Sequence, residues 1–477
     1  MGNLFASLDA AAGALRAFRD GINVSQNNIS NATTPGFAKQ TIQMEPLPFQ
    51  LYSGAMGGVR TGAIVDSRSS FAERAVRQQL STLGNFTQQA ARLAQIEGIF
   101  DVGADSGIPG AMDQLFSAFA EFSQSPESPG ARQSVLEAAG QVAASFQGAA
   151  REISRLTSDI DADLRATVEK INQTASQIQQ YNHRILQGSE PDSGLQAVAF
   201  ADAETLAELA DVEVLMEPNG TMTVLLGGQT PVVIGDHFQA IRLESYTPAG
   251  AVNPGATPSM RLLDSEGRDI TGTISQGALG GLLQVRTGVL PALAGDSMQN
   301  GSLNELARNL AERTNEILTS GLVSAGPPPV PGVALFEFNP ANNADIARSL
   351  TLNPAITQDQ LAAIAPGPPY VSNGTALALA DLRNSRAPED TVNGMTYFEY
   401  YSSMARQVGD GVRSMRQEEA RSNLLVTQAR DLRTQLSGVS FDEEAVKLVE
   451  FQRAYEANAQ VVKIVDEMIE SVIAMLR

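Results

Sequence analysis

The chain has 477 residues, 43% of them hydrophobic, and a net charge of −20; it contains no cysteine and no tryptophan. This length suggests about three domains with cores of their own. The lack of cysteine excludes disulfides and thiolate metal sites, while four lysines and scattered arginines form no basic face for nucleic acid. No apolar run reaches the ~18 residues of a membrane span, and no cleavable secretory signal is visible.

The first thirty residues carry a seven-residue apolar repeat. Its members recur at alternating steps of four and three residues: Leu4, Leu8, Ala11, Leu15, Phe18, Ile22, Ser25 and Ile29. This spacing places one side chain per turn on a single stripe, which predicts a helix with a seam for lengthwise packing on another helix. We expect the helix to end between Asn27 and Asn31, because Pro35-Gly36 cannot continue it.

Helical periodicity continues through the next 150 residues of the chain. Residues 71–100 predict a helix, residues 101–109 a loop, and residues 112–122 a short apolar helical segment. A long pattern then runs from Val142 to Ile185. A pattern well beyond ~25 residues predicts an elongated helical bundle rather than a compact globule.

The texture changes to alternating apolar and polar residues near position 195. Val212, Val214 and Met216 alternate with polar neighbours before Pro218-Asn219-Gly220, which predicts a β-hairpin turn. We therefore expect an inserted β-rich outer domain over residues 195–285. A helix is predicted from Leu303 to Leu318, followed by a loop-rich segment, residues 326–394, packed on the bundle.

The C-terminal residues repeat the pattern of the N-terminus. A helix is predicted from Val408 to Leu436, Gly438 suits its left-handed end, and Ser440 with Glu443 predicts a capping box. The seven-residue repeat that follows consists of Leu448, Phe451, Tyr455, Asn458, Val462, Val465, Ile469, Val472 and Leu476. Asn458 either sets the register of this seam or is a tolerated polar contact.

Two helices with uncovered seams at opposite termini require each other, or copies from neighbouring molecules. This indicates an assembly subunit with an α+β multidomain fold: paired terminal coiled-coil helices, an elongated helical bundle and the inserted β-rich domain. The predicted terminal domain comprises residues 1–60 and 438–477. The predicted bundle comprises residues 61–194, 286–325 and 395–437.

The sequence contains no convincing catalytic, cofactor or metal site, so we expect no enzyme. His183 and His237 are far apart in sequence, and Asp159, Asp161 and Asp163 do not share a helix face, although they imitate the start of a calcium loop. A carbohydrate-binding or adhesin module is the alternative from another class. The composition argues against this alternative, because the only aromatic side chains that residues 195–285 offer for a binding platform are Phe200, Phe238 and Tyr246.

Two segments resemble motifs of a known family. NNISNATTPGFAKQ, residues 27–40, and SGVSFDEEAVKLVEFQRAYEANAQVVKIVDEMIESVIAML near the C-terminus resemble the terminal motifs of bacterial flagellar rod, hook and hook-associated proteins. Phe37 stands where the motif is expected to have tyrosine. The interior segments resemble the hook-associated members that join hook to filament: QIEGIFDVGADSGIPGAMDQLFSAFAEFSQSPESPGARQSVLEAA, GALGGLLQVRTGVLPAL and LNELARNLAERTNEI.

The resemblance implies a structural flagellar subunit at the hook–filament junction, outside the cell, after export through the flagellar type III channel. The implied partners are the hook protein, the second junction protein, further copies in a ring and a cytoplasmic export chaperone, with no nucleic acid and no membrane insertion. The second junction protein, a distal rod protein and the hook protein stay open as alternatives. The long helical bundle argues against hook and rod proteins, whose interiors are expected to be mostly β.

The narrow seams of the terminal helices also suggest how assembly is controlled. Isolated helices with a narrow apolar seam are marginal in water, so the termini are expected to be largely disordered in the monomer and to order on assembly. An exposed seam gives a chaperone a target, which we expect at Val462, Val465, Ile469 and Val472.

Overall fold

The computed structural model of the chain describes residues 2–50, 55–100, 107–188 and 193–475. Its helices are α1 (Gly2–Ser30), α2 (Ser70–Glu97), α3 (Gly107–Gln124), α4 (Pro129–Leu186), α5 (Ser193–Leu209), α6 (Gly277–Gln284), α7 (Leu290–Ala294), α8 (Ser302–Ser320), α9 (Ile346–Ser349), α10 (Gly374–Asp381), α11 (Tyr397–Ser437) and α12 (Phe441–Met475). None of these described helices is long and apolar enough to cross a membrane.

The strands of the described residues are short and antiparallel. They are β1 (Gln40–Pro46), β2 (Phe49–Gln50), β3 (Ala55–Met56), β4 (Val59–Asp66), β5 (Val212–Met216), β6 (Met222–Leu226), β7 (Thr230–Ile234), β8 (His237–Phe238), β9 (Arg242–Tyr246), β10 (Ser259–Leu263), β11 (Leu322–Ser324), β12 (Val330–Pro331), β13 (Phe336–Glu337) and β14 (Thr351–Leu352). β5 to β8 form a four-stranded sheet in chain order, and the other strands pair in twos.

The N-terminal and C-terminal parts of the chain run together as two successive antiparallel helix pairs. In the first pair α1 lies against α12, and in the second α2 lies against α11. Val76 and Leu80 of α2 form a buried cluster with Val426 and Ala429 of α11. The helices predicted over residues 71–100 and from Val408 to Leu436 are therefore confirmed, and they are each other's partners.

The longest helix, α4, has 58 residues and so spans about 87 Å. It starts at Pro129, where the Ser128 hydroxyl accepts a hydrogen bond from the amide of Ala131 at 3.4 Å. The predicted helical pattern from Val142 to Ile185 is confirmed and extended by these first turns. α3 begins at Gly107, inside the predicted loop over residues 101–109, of which residues 101–106 lie outside the described part.

The predicted hairpin around Pro218-Asn219-Gly220 is confirmed, with Met216 opposite Met222 in β5 and β6. The sheet packs on α4 through a buried amide: Asn182 donates to the carbonyls of Met222 and Gly235, both at 2.7 Å. Residues of β6 belong to the same apolar core as those of α4. The sheet is thus fastened to the bundle by side chains of its longest helix.

The range predicted as β-rich, residues 195–285, requires a correction at both ends. Its first residues form α5, because Ala199, Ala203 and Leu206 recur at helical spacing and are buried against α2 and α4. Its last residues form α6, which packs against α2. The strands of this range run only from Val212 to Leu263.

Residues 326–394 contain the short strands β12 to β14, two short helices and single turns, as the loop-rich prediction suggests. Leu335, Phe336 and Leu361 of this segment are buried in the same core as α3, α4 and α8. The division of the whole chain into separate domains stays a prediction.

Candidate assembly site: the terminal helices and their junction

The predicted seam of α12 turns largely toward α1. Its residues are half-buried at Leu448, Phe451, Asn458, Val462, Ile469 and Val472, and Val465 is buried. Tyr455 is more exposed than the other seam residues, at 39%, and Leu476 lies outside the described residues. Leu4 and Phe5 of α1 line a small cleft with Ile469 and Val472, which brings the two ends of the chain together.

The fully buried residues of α1 only partly coincide with the predicted seam. The larger seam residues are only half-buried: Leu4, Leu8, Leu15, Phe18, Ile22 and Ile29. The fully buried residues are mostly small: Ala11 and Ser25 of the seam, and Ala14, Ala17, Gly21, Val24 and Asn28 beside it. A Cβ on Gly21 would lie 2.9 Å from the Phe451 ring, so small residues let this aromatic ring reach the helix backbone. The other side of α1 contacts β1, β3 and β4.

A buried carboxylate joins the end of α1 to the start of α12. Glu444, whose side chain is 1% exposed, accepts hydrogen bonds from Asn28 Nδ2 and Lys447 Nζ, both at 3.0 Å. Asn28 also exchanges two hydrogen bonds with the backbone of Gln40, at 2.8 and 2.9 Å. Lys39 Nζ lies 3.6 Å from the same carboxylate. We call Asn28, Lys39, Glu444 and Lys447 the polar latch.

The charges of the polar latch hold Glu444 ionised. Burial alone would raise the pKa of Glu444, but the hydrogen bonds from Asn28 and Lys447 and the charges of Lys447 and Lys39 lower it below its ordinary value. The pKa of Lys39 is raised, chiefly by its hydrogen bond to Glu443. The buried Glu444 carboxylate therefore holds the start of α12 against the end of α1.

The predicted helix break between α11 and α12 is present, but its details differ. The Ser440 hydroxyl accepts from the amide of Glu443 at 3.4 Å, whereas the Glu443 carboxylate pairs with Lys39 at 2.7 Å instead of completing a capping box. Gly438 has φ −73° and is not left-handed. Glycine is required there because a Cβ would meet the carbonyl oxygen of Thr434 at 2.4 Å.

Backbone hydrogen bonds tie together the two segments that connect the helix pairs. The amide of Lys39 donates to the carbonyl of Ser437 at 2.9 Å, and the amide of Ser67 donates to the carbonyl of Lys39 at 2.8 Å. The Ser437 hydroxyl accepts from the amide of Ser69 at 3.1 Å and donates to the carbonyl of Ser67 at 3.0 Å. These hydrogen bonds join the residue before β1, the residues after β4 and the end of α11 into one unit. We call Lys39, Ser67, Ser69 and Ser437 the junction segment.

Ion pairs continue from the junction segment into the bundle. Arg68 donates to the buried carboxylate of Glu73 at 2.8 Å and to the carbonyl of Gly36 at 2.7 Å, and it stacks 3.7 Å from the Phe200 ring centre. Arg433 of α11 bridges Glu73 and Glu204. Gly36 has φ +74°, and a Cβ there would lie 2.2 Å from the carbonyl oxygen of Ala197. The Pro35-Gly36 pair thus packs residues 27–40, which resemble the flagellar N-terminal motif, against α5.

The three aspartates that imitate the start of a calcium loop each form an ion pair with an arginine. Asp159 pairs with Arg155 at 3.1 Å, Asp161 pairs with Arg286 at 2.6 Å, and Asp163 pairs with Arg92. His183 lies 3.0 Å from Asp236, the neighbour of His237, so the fold brings the two histidines closer than their sequence positions suggest. Within the described residues, no group of three histidine or carboxylate ligands could hold a metal ion.

A second apolar stripe, not predicted from the sequence, lies on the exposed side of α12. Val461, Ile464, Met468 and Met475 follow steps of three, four and seven residues and are between 45% and 83% exposed. At 3.6 residues per turn this stripe lies about 100° around the helix from the seam that faces α1. We call it the outer stripe.

A model of the flagellar hook-associated protein FlgK helical domain matches residues 93–336, just over half of the chain. The chain belongs to the flagellar hook-associated protein FlgK family. A second model, of the flagellar basal body rod FlgEFG protein C-terminal region, matches residues 434–475, which include α12. This FlgK family member is thus a structural protein of the bacterial flagellum.

Similar proteins cover nearly the whole chain. Flagellar hook-associated protein 1 of Bacillus subtilis (strain 168) is 24% identical, with 99% of this chain and 98% of that protein covered. The protein of that name from Escherichia coli (strain K12) is 22% identical, with 98% and 99% covered. The flagellar hook junction protein FlgK from Burkholderia pseudomallei has a similar fold, with a TM-score of 0.62 at 16% identity over 76% of this chain and all of that one.

Proposed function

We propose that this protein forms the junction between the flagellar hook and filament, by self-assembly through its terminal helices after export by the flagellar type III apparatus. Membership of the FlgK family supports the position at the hook, and the names of the relatives agree with it. The observation that carries the assembly mechanism is the outer stripe of α12. The hook protein, the second junction protein and further copies in a ring are its proposed neighbours.

The outer stripe supports self-assembly because one partner helix cannot cover α12. A helix on a protein surface needs an apolar arc of about 100°, facing one core. On α12 the seam toward α1 and the outer stripe together cover about twice that arc. We infer that α1 covers the first half within the subunit and that neighbouring subunits cover the second half in the assembled ring.

The proposed chaperone site overlaps the contact with α1. Val465 is buried, and Val462, Ile469 and Val472 are half-buried on the side of α12 that faces α1. A chaperone that binds these four residues must therefore displace α1. We propose that the terminal helices separate and lose order while the chaperone is bound to the monomer before export, and that pairing with α1 and release of the chaperone occur together.

The double variant Ile464→Glu/Met468→Glu tests the role of the outer stripe. Both side chains are exposed, so the variant is expected to fold with wild-type helicity, while charges buried between subunits would prevent assembly. Cells that carry it should export the protein into the medium and lose motility. Gln452→Glu, which adds a charge at another exposed position of α12, should leave motility unchanged. Normal motility of the double variant would contradict the proposed assembly mode.

A further inference from the structure

Arg77 of α2 is a buried arginine without a counterion. The residue is only 7% exposed, and its Nη1 atom is buried without a hydrogen-bond partner. Within the described part of the chain, no residue forms an ion pair or a hydrogen bond with it. Burial lowers the pKa of Arg77, although the charges of Glu73 and Glu204 act in the opposite direction. An unpaired buried charge is costly, so this site calls for an explanation.

The nearby carboxylates already serve other arginines. Glu73 accepts from Arg68 at 2.8 Å and from Arg433 at 3.4 Å, and Glu204 also accepts from Arg433. Neither carboxylate lies within ion-pair distance of Arg77. The cluster therefore has a cationic group left over after its own acids are paired.

Arg77 borders a cleft of about 360 Å³ whose lining is partly cationic and partly apolar. Its lining includes the arginines Arg68, Arg74 and Arg77 and an apolar part in which Val214, Leu215 and Met216 are the accessible residues. The Nε atom of Arg68 is a second buried nitrogen of this cleft without a hydrogen-bond partner, and the Asp66 carboxylate lies 3.9 Å from it. We call this cleft of about 360 Å³ the Arg77 cleft.

A neighbouring cleft of about 350 Å³ is also bordered by Arg74 and Arg77, but it contains the carboxylates of Asp211 and Glu213. These acids would repel an anion. The Arg77 cleft has only Asp66 and Glu73 as acids, and Glu73 is bonded to two arginines. An anion is therefore electrostatically favoured in the Arg77 cleft over the neighbouring cleft.

We propose that the Arg77 cleft binds a carboxylate that is attached to an apolar group. The guanidinium groups of Arg77 and Arg74 supply the charge complement, and the accessible side chains of Val214, Leu215 and Met216 accept the apolar body. Such a carboxylate can come from a small molecule in solution or from an acidic side chain of a second copy of this chain. The chemistry is the same for both sources, and the inference does not depend on the flagellar role.

Benzoate is a suitable probe, with benzamide as its neutral counterpart. Calorimetric titration of the full-length protein is expected to show benzoate binding at least tenfold tighter than benzamide binding. Arg77→Met should abolish the preference for benzoate and raise the melting temperature of the free protein, because it removes an unpaired buried charge. Arg165→Met, at an exposed position of α4, should bind benzoate like the wild type. Equal affinity for both probes, no benzoate binding, or unchanged binding by Arg77→Met would overturn the proposal.

Sedimentation of the wild-type protein over a range of concentrations distinguishes the two sources. If a side chain of a second copy occupies the cleft, benzoate should reduce self-association and so should Arg77→Met. If the natural ligand is a small molecule, self-association should be the same with and without benzoate. Both results support a carboxylate site and identify where its ligand comes from.

Discussion

Replacing Gly84 with alanine is expected to destabilise the helical bundle by about 3 kcal/mol, at the upper end of the usual cost of overpacking. Gly84 lies in the middle of α2, where a Cβ would meet the carbonyl oxygen of Glu208 at 2.2 Å and the amide nitrogen of Ala278 at 3.1 Å. Both are backbone atoms, so no side chain can move aside. Gly281 of α6 makes the reciprocal approach, with 2.4 Å to the carbonyl oxygen of Asn85.

The measurement is urea unfolding followed by circular dichroism, with Gly140→Ala as the matched control. Gly140 lies inside α4, and a Cβ there meets nothing within 4 Å. Because alanine is the better helix former, this variant should be more stable than the wild type by about 0.5–1 kcal/mol. An unchanged unfolding midpoint for Gly84→Ala would show that α2, α5 and α6 do not meet as closely as described.

Replacing Glu444 with alanine is expected to weaken the packing of α1 on α12 by about 3 kcal/mol, because it removes one partner of a buried ion pair and its hydrogen bonds. Asn28 would lose its contact with α12, and Lys447 and Lys39 would lose a shared counterion. Amide hydrogen exchange across both terminal helices should accelerate by roughly 100-fold, since 1.4 kcal/mol corresponds to a factor of ten. Exchange in the N-terminal half of α4, which packs on α3 and not on the latch, should not change.

Glu443→Ala is the matched control, because its carboxylate is exposed and its pair with Lys39 lies at the surface. It should change exchange little. The pH dependence offers a second check: the folded pKa of Glu444 is lowered from 4.5, so its stabilising effect is full above that pH and is lost as the pH falls through the folded value. Terminal helices of the wild type should therefore open below about pH 4.5. Equal protection in Glu444→Ala and the wild type would refute the polar latch.

Much of the helical framework could be predicted from the sequence because long apolar periods depend on local spacing alone. The terminal repeats predicted helices at both ends, and on α12 they also identified the side that holds Phe451 and Val465 against α1. On α1 the predicted seam consists mostly of large residues, whereas the closest contact with α12 is made by Gly21, among buried alanines. Apolar periodicity does not weigh residues that are buried because they are small.

The junction could not be predicted because its residues look like surface residues in the sequence. Glu444 is a charged residue at the start of a helix, and Asn28 belongs to a sequence that matches a glycosylation site, yet both are buried and bonded to each other. Their roles arise from segments more than 400 residues apart. The α5 helix was missed because its short alanine-rich sequence precedes a strong strand pattern, and tertiary burial decides its conformation.

Immunogold labelling of intact flagella, with an antibody against residues 195–285, tests the proposed position most directly. We expect a single narrow band of label at the distal end of the hook, where the filament begins. Label along the whole hook, or flagella that carry no label, would contradict it.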